Sequence, residues 1–206
     1  MQDKGNMRSL ANILAAIFLG LFLAGSVSAQ EMKQLSASEA QKAAAAINSA
    51  NAGVKSLQAD FIQVKEMTIV KDRMVSSGKM YFQDGNLRWE YVKPSRSVFV
   101  TNRDLMKSNR MFKSIADMML NSVTGINLDD LSFQVTLYSP GKGYVADLVP
   151  LKREMKQMFK KIRLLFGPDD RVRQIELEES QGRTVITLSN VKYNLSLDPG
   201  LFKVFE

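Results

Sequence analysis

The sequence predicts an α+β protein, a strongly curved antiparallel sheet forming a partial barrel with short helices against one side. Short segments of alternating polarity, punctuated by turn residues, follow one another along most of the chain. Only a few short stretches switch to helical spacing. About ten strands in succession are too many to lie flat, so the sheet must curve, and its concave face must be filled. No internal repeat, low-complexity tract or Pro/Gly/Ser linker interrupts the pattern, and a single domain over 30–206 is expected.

The first segment, 1–29, reads as a secretory signal peptide. Lys4 and Arg8 precede an apolar run over 13–24, and Val27-Ser28-Ala29 supplies small residues for cleavage after Ala29. The run is well short of the roughly 20 residues a membrane-spanning helix needs. With no cysteine to lipidate, the product is expected to be a soluble exported protein.

After the leader, Ser36 with Glu39 forms a capping box for "EAQKAAAAINSAN", a smooth, alanine-rich helix ending before Gly53. "LQADFIQVK" alternates Leu57, Ala59, Phe61 and Gln63 on one side and reads as a strand. It feeds the hairpin in "SSGKMYFQDGNLRWEYVKP", where Asp84-Gly85 is a two-residue turn of the kind that needs φ > 0. That turn sets Met80 opposite Trp89 and Phe82 opposite Leu87, with Tyr91 on the same face. The other face pairs Lys79 with Glu90 and Tyr81 with Arg88, so one register gathers the apolar groups and matches the charges.

"SVFVTN" continues as a strand, and 103–113 has no clear pattern. In "SIADMMLNSVTG", Ile115, Met118 and Met119 recur at helical spacing after a possible Ser114/Asp117 cap, a helix too short to stand alone in water. "DLSFQVTLYS" then sets Leu131, Phe133, Val135 and Leu137 on an inward face. A "PGKG" turn leads to "YVADLV". Pro150 opens "LKREMKQMFKK", where Leu151, Met155, Met158 and Phe159 share a helical face, though an extended form fits almost as well. "IRLLF", "RVRQIELEE" and "TVITLSNVKY" form a meander, and "LDPGLFKVF" closes with a turn and a short strand.

Composition removes several functions. The chain has no His and no Cys, which excludes Ser-His-Asp and Cys-His catalysis and the common zinc sites. Asp129-Asp130, Asp169-Asp170 and Glu176-Glu178-Glu179 lie at turns or on strands, where solvated charge is the ordinary explanation. Carboxylate-only or lysine-based chemistry stays open, but no paired constellation for it is found, and no enzyme activity, cofactor or metal is expected. The net charge of +7 is spread along the chain rather than striped, which argues against nucleic acid and fits, at most, transient contact with an anionic membrane.

The alanine-rich helix, "LQADFIQVK", the 76–94 hairpin and the closing "RTVITLSNVKYNLSLDPGLFKV" together resemble the periplasmic outer-membrane lipoprotein carrier proteins of the LolA-like family. The resemblance spans nearly all of the chain after the leader and is weakest over 103–160. Its most specific parts are Ser77-Gly78-Lys79, Leu87-Arg88-Trp89-Glu90-Tyr91 with Pro94, and Asn190 through Asp198-Pro199 to Phe202.

The resemblance implies an unclosed β-barrel of about eleven strands covered by short helices, a monomer in the periplasm. It implies a hydrophobic cavity for lipoprotein acyl chains, received from an inner-membrane ABC-type release complex and passed to an outer-membrane acceptor. On that basis Met80, Phe82, Leu87, Trp89, Tyr91, Phe133, Val135 and Leu137 are expected to line the cavity, and Ile115, Met118 and Met119 to belong to a lid helix. Read without it, the same faces fit packed core, and 115–119 fits lid or core helix equally. Family members often place a basic residue and proline before the "LRWEY" segment, whereas this chain has Gln83-Asp84, so a lid latch of that form is in doubt. A lipid- or lipoprotein-binding sensor, or a carrier of another apolar ligand such as a glycolipid, stays open as an alternative.

Overall fold

In a computed structural model, the protein is described over residues 32–68, 72–101 and 125–203. The leader 1–29, the 103–113 segment and the helix carrying Ile115, Met118 and Met119 lie outside the described residues.

The described chain forms one antiparallel sheet of ten strands. In chain order these are β1 (Lys33–Gln34), β2 (Ser56–Met67), β3 (Asp72–Gln83), β4 (Asn86–Lys93), β5 (Ser97–Thr101), β6 (Phe133–Ser139), β7 (Tyr144–Pro150), β8 (Phe159–Phe166), β9 (Val172–Glu179) and β10 (Gly182–Tyr193). Two meanders, β2 to β5 and β6 to β10, join where β10 pairs with β2, and the spatial order is β1-β6-β7-β8-β9-β10-β2-β3-β4-β5. Among the described residues β1 and β5 are unpaired edges, so the barrel is unclosed. Among the described residues two helices accompany the sheet, α1 (Ala37–Asn51) and α2 (Arg153–Met158), with a 3-10 turn at Pro199–Phe202. No helix among the described residues is long and apolar enough to cross a membrane.

The hairpin has the expected register. Met80 faces Trp89, Phe82 faces Leu87, Lys79 faces Glu90 and Tyr81 faces Arg88. Asp84 and Gly85 both have positive φ, 52° and 81°, which is the backbone that a tight hairpin turn requires. Further along, the β3/β4 register shifts between Ser77 and Gly78, and β10 shifts against β2 between Ser189 and Lys192. Each irregularity bends its strand and adds to the curl of the sheet.

Helix α1 is capped as its sequence predicts. Ser36 accepts from the Glu39 amide, and the Glu39 carboxylate accepts from the Ser36 amide at 2.8 Å. Ala43, Ala44 and Ile47 form a buried stripe at i, i+1 and i+4, part of one continuous core with the concave face of the sheet. Asn48 exchanges two hydrogen bonds with the backbone of Ile126, at 2.8 and 2.7 Å, and Asn51 donates to the Asp170 carbonyl, which ties the helix to its surroundings at both points. Replacing Ser36 with alanine is expected to cost about 1 kcal/mol in thermal or urea unfolding. The backbone and hydroxyl of Ser36 hold the Glu39 carboxyl below the ordinary carboxylate range. Its folded pKa being depressed, its stabilising effect is present above that range and is lost as pH falls through the folded value. The gap between wild type and Ser36→Ala should therefore narrow in acid.

On the convex face Arg163 reaches Asp147 with two bonds, 2.6 and 2.8 Å, and Asp147 is only 7 % exposed. The Asp147 hydrogen bond and charge raise the Arg163 pKa further above its ordinary value. A carboxylate so buried requires this pairing.

Three local expectations are corrected. Leu131 is 87 % exposed rather than inward-facing, because β6 begins only at Phe133. Before it, Asp130 accepts from the Ser132 amide with its side chain and from the Phe133 amide with its carbonyl, closing a turn where strand alternation no longer applies. Pro150 does not open a helix but ends β7, opposite Phe133. The following segment is helical only to Met158, and Phe159 begins β8, so the helical and extended forms each occupy part of it. At the C-terminus Asp198 caps a 3-10 turn by accepting from the Gly200 amide, so Leu201 and Phe202 are not in a strand.

Candidate functional site

The concave face narrows to a cleft of about 370 Å³. Leu87, Trp89, Tyr91 and Phe99 come from β4 and β5, and Phe159, Leu177 and Ile186 from β8 to β10. Strands β4 and β8 are five steps apart in the sheet, about 24 Å if it were flat. One small cleft lined by both requires a strongly curled sheet.

An aromatic cluster builds the wall. The Phe61 ring lies 4.2 Å from Trp89, tilted by 30°, and meets Tyr91 edge-on at 5.3 Å. Phe61 reaches this position because it faces Gly78 across β2 and β3, where no side chain stands in its way. Such pairs add about 0.5–1.5 kcal/mol each beyond their burial.

The remaining lining residues are polar and already linked to each other. Lys65 lies 3.2 Å from Glu179, and Thr184 donates to the other Glu179 oxygen at 3.1 Å. The Tyr91 hydroxyl donates to Gln63 at 3.0 Å. On β2, then, the inward series Leu57, Ala59, Phe61 gives way to Gln63 and Lys65, and the apolar cleft has a polar end. The Lys65–Glu179 pair is partly solvated and contributes at most about 1 kcal/mol to stability. The Trp89 side chain is only 4 % exposed, and its indole Nε1 has no hydrogen-bond acceptor among the described residues. An unmet buried donor costs about 1–3 kcal/mol.

Of the residues expected to line a cavity, Leu87, Trp89 and Tyr91 meet at this cleft. Met80, Phe82, Phe133 and Leu137 are buried in the core and Val135 packs against it, none of them lining this cleft. Lysine, glutamate, threonine and glutamine at the polar end, with Phe99, Leu177 and Ile186, lie outside the sequence expectation, and Phe159 enters from the segment whose apolar face the sequence ranks as the weakest candidate. The only trace in the sequence was Gln63, already placed on the Phe61 side. Arg88 is engaged elsewhere: it donates to the Leu201 carbonyl at 3.1 Å and pairs with Glu90 at 3.0 Å, binding β4 to the C-terminal turn.

The sequence pattern of the family described as outer membrane lipoprotein carrier protein LolA matches residues 52–205. The chain is 26 % identical over 163 residues to an outer-membrane lipoprotein carrier protein of Methylococcus capsulatus, covering 72 % of this chain and 76 % of that one. Among solved structures, a DUF1329 family protein from Desulfovibrio piger aligns with a TM-score of 0.36 at 13 % identity, over 79 % of this chain and 95 % of the other. A LolA superfamily protein from Nitrosomonas europaea aligns with a TM-score of 0.32 at 9 % identity, over 80 % and 97 %. At these scores neither structural neighbour bears on the reading of the site.

Proposed function

The chain belongs to the family of the outer membrane lipoprotein carrier protein LolA, and from that premise we propose that it is a periplasmic carrier that shields lipoprotein acyl chains and moves them from the inner to the outer membrane. The observation that carries this reading is the aromatic-walled cleft on the concave face, contributed by both meanders. Its partners would be an inner-membrane ABC-type release complex and an outer-membrane acceptor, met in turn by a monomer exported with its leader removed. The work consists of binding and release, with no covalent step.

Energetics set what such a carrier must do. A chain of about 15 methylenes gains on the order of 12 kcal/mol if fully sheltered from water. Full burial of several chains would make release impossibly slow. A cleft of about 370 Å³, at the lower end of ligand sites, shelters a chain only in part and leaves it transferable.

To test the reading, the protein is expressed with its own leader, recovered gently from the periplasm and examined by native mass spectrometry and lipid extraction. Purified protein is then offered to membranes holding a lipoprotein and the release complex. Co-purifying acylated cargo and lipoprotein appearing in the soluble fraction are expected. Protein that binds lipid yet releases nothing from the donor membrane would be a sensor, and the carrier reading would be abandoned.

A further inference from the structure

Three hydrogen-bond donors at the cleft are only partly used. Both Glu179 oxygens are used, one by Lys65 and one by Thr184, and the Gln63 carbonyl is used by Tyr91. Donors remain free beside them among the described residues. The Gln63 amide nitrogen has no acceptor, Lys65 spends one of its three ammonium hydrogens on Glu179, and the Trp89 indole N–H is buried without any partner. The charge at this end is balanced, since Lys65 is paired with Glu179. A ligand that completes such a site brings acceptors without a net charge.

We propose that the cleft holds a donor set for an ester carbonyl, centred on the Trp89 indole N–H with Lys65 and Gln63 at the polar end, so that it selects acyl esters over other chains of equal length. This rests on reading the cleft as an acyl-chain site. A neutral carbonyl meets the indole donor without stripping water from an anion. A hydrocarbon leaves the donor unmet, an ether offers only its bridging oxygen, displaced from where the carbonyl oxygen would sit, and a free carboxylate brings a charge that Glu179 opposes. The indole is covered in the described structure, so the proposal requires the cleft to widen when a chain is seated between Trp89 and Phe159.

The test uses the full chain after the leader, with N-phenyl-1-naphthylamine as a fluorescent probe of the apolar cleft. It is displaced by 1-palmitoyl-lysophosphatidylcholine or by its 1-O-hexadecyl ether, which keeps the head group and lacks only the carbonyl, and by palmitate. The ester is expected to compete about fivefold to tenfold better than the ether, the effect of one well-placed hydrogen bond. Trp89→Phe, which keeps an aromatic ring and deletes the donor, should bring that ratio to about one, and Lys65→Met should lower it in a side chain whose loss leaves the core intact. Equal competition by ester and ether in the wild type, or a ratio that survives Trp89→Phe, overturns the donor site and leaves the carrier reading standing. Palmitate competing better than the ester assigns the site to anions and also overturns it. Failure of every chain to displace the probe overturns both readings together.

Discussion

Gly78→Ala is expected to lower stability by about 3–5 kcal/mol, the largest effect anticipated from adding a single methyl group to this protein. A Cβ at Gly78 would stand 1.8 Å from the Glu90 carbonyl oxygen, 2.8 Å from its carbon and 2.9 Å from the Phe61 ring. Two of those three atoms are backbone, and they cannot withdraw without breaking the β3–β4 ladder beside the register shift. Nor can Phe61 withdraw, since its ring is held against Trp89 and Tyr91. Overpacking costs about 1–3 kcal/mol when side chains can adjust, and more against backbone. Loss of the two aromatic contacts adds about 0.5–1.5 kcal/mol each. At 2–4 °C per kcal/mol for a chain of this size, the melting temperature should fall on the order of 10 °C, measured by circular dichroism. A fall under about 2 °C would show that the ladder yields easily and that the glycine does not set the shape of the aromatic wall.

This glycine also marks the boundary of what could be read from sequence. The pairing from Lys79–Glu90 to Phe82–Leu87 was legible, because a turn of fixed type at Asp84-Gly85 determines the register and the register determines the face of each neighbour; the shift between Ser77 and Gly78 was not. The α1 cap was legible for the same reason, as Ser36 and Glu39 are three residues apart. The cleft was not, because its two walls meet only through the β10–β2 pairing, which sets Val185 against Val64 and Thr184 against Lys65. No local pattern specifies that register. The polar end was obscured further: a lysine two residues after Gln63 on a strand suggests that alternation has ended in solvent, and only Glu179 arriving from β9 shows that it points inward to a partner. Leu131 failed in the opposite direction. Its spacing continued the β6 alternation perfectly, but Asp130 closed a turn before the strand could begin. Asp130 beside an apolar residue was the sign that the alternation there belonged to a turn.

Tyr91→Glu is expected to weaken binding of an apolar chain at least about a hundredfold, while Tyr91→Phe changes it less than about tenfold. Tyr91 sits on the cleft wall, half-buried, with its ring edge-on to Phe61 and its hydroxyl bonded to Gln63. A chain that covers a carboxylate at this place must strip away water with no net positive charge to replace it, because the charge of Lys65 is already balanced by Glu179. Desolvation of that kind costs several kcal/mol, and about 1.4 kcal/mol is a factor of ten in affinity. The phenylalanine variant loses only one hydrogen bond, about 1 kcal/mol, and Gln63 can turn to water instead. Probe titration of both variants measures the difference, and binding by Tyr91→Glu within fivefold of wild type would remove Tyr91 from the ligand path. A carboxylate at Trp89 would be enclosed by Phe61 and the core even without ligand, so it would destabilise the fold and the complex together. At Tyr91 the free protein keeps the new charge solvated, and its melting temperature should stay within a few degrees of wild type. Only the bound state then carries the penalty, and a loss of affinity reports on the cleft itself.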